Sequence, residues 1–270
     1  MKGKFVYLES YVSRRIGVST GINVIGPPKT CTFNCVYCEI GLTSSTNLVP
    51  PSMRSEDQFN PEQFQNEISA ALIENPHLDS LTFGYYGEPT LSKYLREAVR
   101  IAKKVRDALN RSDRGPLLTI FTNSSTICEP TLSATLLEFD WIIAKLDCAR
   151  EETFRQINRP HPLVPRIQDL ITALQQFQLH LQSLKSNSRL TIQCLLFSST
   201  NPSIPGNTTA VDLDALHDAI LKIHPYSVQF YTVAREPPEA GLIPLSAEMK
   251  TSIRIYCQTH YPNDILYSIY

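Results

Sequence analysis

Three cysteines crowd into eight residues of the segment KTCTFNCVYCEIG: Cys31, Cys35 and Cys38, spaced C-x3-C-x2-C. Scattered at random, the chain's seven cysteines would produce this spacing only about 0.005 times. Three thiolates on one short loop suit a metal ion or an iron–sulfur cluster. A structural zinc wants a fourth ligand. No second cysteine pair lies nearby, and His77, the closest histidine in sequence, stands singly. Three cysteines can instead hold three irons of a four-iron cubane and leave the fourth open, and an open position is what catalysis needs.

Such a loop must be held by a scaffold, and the rest of the chain reads as alternating strands and helices. Apolar, β-rich runs occur at Val18–Ile25, Ser80–Tyr85, Leu117–Thr122, Trp141–Leu146, Leu190–Phe197 and Ser227–Val233. Helical patterns lie between them at Pro61–Ile73, Leu91–Asn110, Glu129–Glu138, Arg166–Ser183 and Asp212–Ile223. The alternation predicts an α/β fold with a mostly parallel sheet, a partial (β/α)6 barrel of the TIM type in a single domain over residues 1–270, its core at about 17–235. In a parallel barrel the chemistry sits after the C-terminal ends of the strands, where the cysteine loop and the other marked segments fall. Leu42–Asn60 and Ser198–Thr209 read as irregular loops, either of which could be a lid.

The cysteine spacing, with the aromatic Tyr37 before its last member, resembles the radical S-adenosylmethionine (radical SAM) superfamily. Further segments match that family in order over nearly the whole chain. GYYGEPT resembles the GGE-type motif, with Gly87, Glu88 and Pro89 matching and Tyr86 replacing its first glycine; FTNSST resembles the TNG segment, with Ser124 in place of glycine. The resemblance implies that Cys31, Cys35 and Cys38 ligate a [4Fe-4S] cluster whose open iron binds S-adenosylmethionine. Reductive cleavage would then yield a 5′-deoxyadenosyl radical that abstracts hydrogen from a substrate. It places Tyr37 near the adenine, Gly87 and Glu88 at the amino end of the cofactor, and Asn123, Ser124 and Gln193 at ribose or neighbouring polar contacts. Lys145 and Asp147, two apart on a strand and so on one face, would meet substrate together with Arg235, or form a structural ion pair. The segments SRRIG, PPKTC, GEPT, KLD and INRP are shared with a branch grouped with the wybutosine-synthesis enzymes, which act on tRNA. Unlike those, this chain has no flavodoxin-like segment and no further cysteine cluster, which implies an external electron donor such as flavodoxin or ferredoxin.

Composition narrows the partners. A net charge of −1 gives no bulk support for nucleic-acid binding. The exception is the basic segment Lys93–Arg114, which reads as the outer face of an amphipathic helix, solvated or turned to RNA or an acidic partner. No apolar run approaches membrane-spanning length, and the chain reads as cytoplasmic. Cys128, Cys148, Cys194 and Cys257 stand singly beside apolar segments and read as buried small hydrophobes. Arg14 and Arg15, ahead of the first strand, form a solvated loop or clamp a phosphate or carboxylate; facing the barrel mouth, they imply an anionic substrate. His161 in INRPH is a candidate ligand or acid–base group on a loop over the barrel. A non-catalytic iron–sulfur carrier or redox sensor and a zinc-stabilised binding module are the alternatives.

Overall fold

The computed structural model describes residues 4–7, 9–55, 58–109 and 115–270. Its main sheet contains β1 (Tyr11–Ser13), β2 (Gly17–Ile22), β3 (Ser80–Phe83), β4 (Leu117–Thr122), β5 (Trp141–Lys145), β6 (Arg189–Leu195), β8 (Ser227–Tyr231) and β10 (Leu266–Ile269), in the order β1-β2-β3-β4-β5-β6-β8-β10. Every pair from β2 to β10 is parallel, and only β1 runs against its neighbour. Each parallel strand lies beside the one before it in that series, so the crossovers wind in one sense and curl the sheet into a half-barrel. Among the described residues no pairing joins β1 to β10, so the barrel stays open on one side.

The strand faces divide cleanly. Leu81, Phe83, Leu118, Ile120, Ile142, Leu190, Ile192, Val228 and Phe230 are fully buried, in one apolar cluster with Ile68, Ala98, Leu174 and Leu216 of the surrounding helices. The opposite, concave face carries Ser19, Ser80, Thr82, Thr119, Thr191, Gln193, Ser227 and Gln229. These polar groups satisfy one another: Ser19 with Thr82 at 2.7 Å, Ser80 with Thr119 at 2.7 Å, Thr191 with Ser227 at 2.6 Å, and Gln193 donating to Gln229 at 2.9 Å. Mutual hydrogen bonding is what allows a polar layer inside a fold.

The helices are α1 (Pro61–Glu74), α2 (Leu95–Leu109), α3 (Pro130–Leu136), α4 (Glu151–Ile157), α5 (Ile167–Ser183), α6 (Ala210–Ile223) and α7 (Ala247–His260). Asn60 caps α1 ahead of Pro61, and Thr209 and Ser246 cap α6 and α7 by accepting from Asp212 and Met249 backbone N–H groups. The expected strand β4 has the observed bounds, whereas β2, β3 and β8 end two or three residues early, where their chains turn into the site. The expected start of α2 at Leu91 is corrected to Leu95, because Pro89–Leu91 forms a separate 3-10 turn capped by Glu88; its expected end at Asn110 lies outside the described residues. Expected loop Ser198–Thr209 is partly strand: β7 (Phe197–Ser199) pairs antiparallel with β9 (Leu242–Pro244). Helix α7 and strand β10 add a further parallel unit beyond residue 235. No helix among the described residues is long and apolar enough to cross a membrane.

On basic helix α2, Arg100 and Lys103 pair with Glu138, and Arg106 with Asp107 and Asp140; Arg111, Asp113 and Arg114 lie outside the described residues. Cys148, Cys194 and Cys257 are buried as expected, but Cys128 is exposed, since it sits at the rim of the turn leading into α3 rather than on its inner face.

Candidate metal centre

The cysteine loop leaves β2 through Pro27 and Pro28 and is then held by backbone bonds from three distant segments. Cys31 N–H donates to Asn47 and its carbonyl accepts from Val49, at 3.1 and 3.0 Å. Glu88 N–H donates to the Thr30 carbonyl at 3.1 Å. The INRPH segment closes the third side: Asn34 and Val36 N–H groups donate to Asn158 and Ile157, and His161 N–H donates to Thr32. His161 therefore braces the loop through its backbone, and its Nδ1 accepts from Leu163 N–H at 3.1 Å within the same turn.

Gly87 marks the tightest of these contacts. Its φ is +106°, and a Cβ there would stand 1.8 Å from the Thr30 carbonyl oxygen. Only glycine tolerates both conditions. The GEPT turn is thereby pressed against the cysteine loop.

Cys31 and Cys35 are buried, and Cys38 is partly exposed. Each sulfur has its own N–H donor from outside the C-x3-C-x2-C core: Asn123 Nδ2 to Cys31 at 3.4 Å, Asn158 Nδ2 to Cys35 at 3.5 Å, and Lys29 Nζ to Cys38 at 3.2 Å. Burial, reinforced by the charges of Glu88 and Cys35, pushes the free Cys31 thiol up to about 12. Burial, then Cys38 and Asp147, pushes Cys35 up to about 11. Buried thiols of this kind ionise when a bound cation supplies the missing positive charge. Three sulfurs with three donors, one of them the Lys29 ammonium beside Cys38, fit a cluster bound through all three cysteines. No three of His, Cys, Asp and Glu among the described residues are grouped to hold a single metal ion.

The remaining expected site residues fall into two groups. Glu88, 1% exposed, accepts from Thr90 N–H and Oγ1 (3.2 and 2.7 Å), Thr122 Oγ1 (2.8 Å) and Asn123 N–H (2.6 Å). Burial raises its pKa, opposed by those four donors. Its carboxylate thus ties the GEPT turn to the loop after β4. There Asn123 also donates to Thr32 Oγ1 at 2.8 Å, and Ser124, at φ +69°, donates its hydroxyl to the Lys145 carbonyl at 2.9 Å. Ser124 thus holds a left-handed backbone that L-residues rarely adopt.

The second group lies around Asp147. Its Oδ1 accepts from Leu195 N–H at 2.8 Å and faces Lys145 Nζ at 3.3 Å; its Oδ2 accepts from the Tyr37 hydroxyl and from Asn158 Nδ2 at 2.9 Å. Lys145 also donates to the Tyr231 hydroxyl at 2.7 Å and lies 4.8 Å from the Tyr37 ring centre. Burial disfavours the Lys145 charge, but Asp147 and Tyr231 outweigh it and hold its pKa above the ordinary value. Lys145 and Asp147 therefore form a buried ion pair beside Tyr37. Gln193 pairs with Gln229 on the concave face, in register with Lys145. Arg235, 77% exposed, reaches back over the rim to Glu39 at 2.9 Å.

Asn158 and Lys29 were not singled out by sequence reasoning. The only signal was their membership in INRP and PPKTC, and neither motif says which side chain reaches a sulfur.

No family model matches the chain. It is 34% identical over 151 residues to a UPF0026 protein of Methanocaldococcus jannaschii, covering 55% of this chain and 42% of the relative. It is 29% identical over 224 residues to a protein named GTPase Obg of Brachyspira hyodysenteriae, covering 83% of this chain and 29% of that one. The chain thus spans less than half the length of these curated relatives. Among solved structures it resembles Streptococcus suis SuiB bound to S-adenosylmethionine, with a TM-score of 0.62 at 10% identity over 92% of this chain and 50% of that one. It also resembles TYW1 with a lysine–pyruvate adduct bound (0.57, 13%, over 89% and 73%) and anSMEcpe with bound AdoMet (0.59, 16%, over 92% and 63%). The chain shares the half-barrel fold of these solved structures, with its C-x3-C-x2-C loop at the C-terminal ends of the strands.

Proposed function

We propose that the chain is a radical SAM enzyme in which Cys31, Cys35 and Cys38 hold a [4Fe-4S] cluster with one open iron. The observation that carries this reading is the matching of three sulfurs to three separate N–H donors on one braced loop. When bound, the cluster and S-adenosylmethionine supply reductive cleavage to a 5′-deoxyadenosyl radical. The protein's part is to bind, orient and shield. Asn123, Asn158 and Lys29 stabilise thiolate charge at the sulfurs. Gly87 and Glu88 fix the separation between the cysteine loop and the loop after β4, which sets where an amino-acid end can lie. Tyr37, fastened to Asp147 and Asn158, holds its ring in one orientation between Lys145 and Phe197. Electrons would come from an external flavodoxin or ferredoxin, entering by Cys38, the partly exposed member of the three. Cytoplasmic location accords with cluster chemistry in a reducing compartment.

The test is anaerobic reconstitution with iron and sulfide, reduction, addition of S-adenosylmethionine and assay of 5′-deoxyadenosine, against the C31A/C35A/C38A variant. The parent is expected to bind about four irons and release the nucleoside, the variant neither. A cluster that forms and never responds spectroscopically to S-adenosylmethionine would instead support an electron carrier or redox sensor. One zinc and no sulfide would support a zinc-stabilised module.

A further inference from the structure

Strand β2 begins at Gly17, far from β8 along the sheet, yet the turn between β1 and β2 reaches β8 across the open side of the half-barrel. Gln229 Nε2 donates to the Arg15 carbonyl at 3.3 Å, and the Arg15 guanidinium lies 4.4 Å from the Tyr231 ring centre. Lys145 contacts the same tyrosine from within the site, through the hydroxyl at 2.7 Å and 5.0 Å from the ring centre. One aromatic ring thus meets two cations.

The charges around it do not balance. Asp147 answers Lys145 and is otherwise engaged by Leu195, Tyr37 and Asn158. Among the described residues, no carboxylate pairs with Arg15 and no acceptor meets its guanidinium. Its neighbour Arg14 is exposed, whereas Arg15 is half-buried. Stacking on an aromatic face orients a guanidinium and leaves its edge of N–H donors free, and that edge matches carboxylate and phosphate oxygens two at a time.

We propose that Arg15 is the receptor for an oxyanion, carboxylate or phosphate, carried by the substrate, and that the open side of the barrel admits substrates presenting that charge. The inference rests on reading the concave face as the substrate chamber. The cofactor motifs lie after β3 and β4, whereas Arg15 stands at β8, on the far side of β5 and β6. The oxyanion it takes is thereby separate from the carboxylate of S-adenosylmethionine.

Residue-resolved modification by phenylglyoxal tests this on the reconstituted full chain, with peptide mapping by mass spectrometry and Arg14 as internal reference. Inorganic phosphate and acetate are the two probes. At ten times its Kd, the fitting oxyanion should slow modification of Arg15 about tenfold and leave Arg14 unchanged. The stronger probe names the substrate group. S-adenosylmethionine alone should leave the Arg15 rate as it was. Protection by neither probe would overturn the proposal. So would equal protection by S-adenosylmethionine alone, which would give the guanidinium to the cofactor. A failed cofactor reading would show separately, as absence of 5′-deoxyadenosine from the same sample, without altering the modification rates.

Discussion

Replacing Gly87 by alanine should separate two costs that the structure places at one position. The residue sits at φ +106°, and its new Cβ would stand 1.8 Å from the Thr30 carbonyl oxygen and 2.7 Å from the carbonyl carbon. Left-handed backbone costs an L-residue about 1–2 kcal/mol. The clash adds to this, because both partners are backbone and neither can rotate away. Parting the two loops forfeits the Glu88 N–H bond to Thr30, worth about 1 kcal/mol net. Together these give about 2–3 kcal/mol, or roughly 5–10 °C in Tm for a chain of this size. Gly41→Ala is the control: its φ is +91°, and nothing lies within 4 Å of an added Cβ, so it carries the strain alone. Thermal unfolding by circular dichroism and iron content after reconstitution should both rank parent, Gly41→Ala, then Gly87→Ala. A Gly87→Ala protein that keeps its iron and melts with the Gly41→Ala control would refute the claim that this contact positions the loop.

Three further outcomes are expected. Lys145→Met leaves Asp147 buried without its cation and should cost about 3 kcal/mol in denaturant unfolding; adding Asp147→Asn should recover part of it, and strictly additive losses would show the pair uncoupled. His217 is buried, accepts or donates a 2.7 Å bond with the Tyr261 hydroxyl, and has its pKa lowered by burial to about 4. Because the unfolded chain takes up that proton first as pH falls below 6.5, stability should drop between pH 6.5 and 4 by on the order of 2–3 kcal/mol, and His217→Gln should flatten Tm against pH in that window. Of the four cysteines outside the loop, Cys128 alone should react rapidly with a thiol reagent in the folded, cluster-loaded protein; rapid labelling of Cys148, Cys194 or Cys257 would contradict their burial.

What could be read in the sequence depended on how local each signal was. Cysteine spacing is covalent, so Cys31, Cys35 and Cys38 stood out before any fold was known. Strand β4 was legible because LLTIFT is β-rich and bounded on both sides, while β10 was not: LYSI is four residues long and half-exposed at a sheet edge. Helix α4 is seven residues with only Thr153, Phe154 and Ile157 buried, too little for a periodic pattern. Within the site, the unreadable part was side-chain partnership. Asn158 lies 123 residues from Cys35 in the chain, and nothing in INRP marks its amide as the donor. Glu88 was legible as important but not in its engagement, since its four donors come from Thr90, Thr122 and Asn123.

The bracing of the cysteine loop also fixes when that loop can become competent. Its own residues are synthesised before the groups that shape it, which arrive in turn: Asn47 and Val49 first, then Glu88, then Asn123, and lastly Ile157 to His161. Because each parallel strand docks on the previous one, four βα units must be in place before the final brace can close. Until then the three thiols sit on an unsupported chain, open to oxidation and to stray metals. On the proposed reading, loading would follow assembly of these four βα units, and a nascent chain arrested before residue 157 would carry all three cysteines without that final brace.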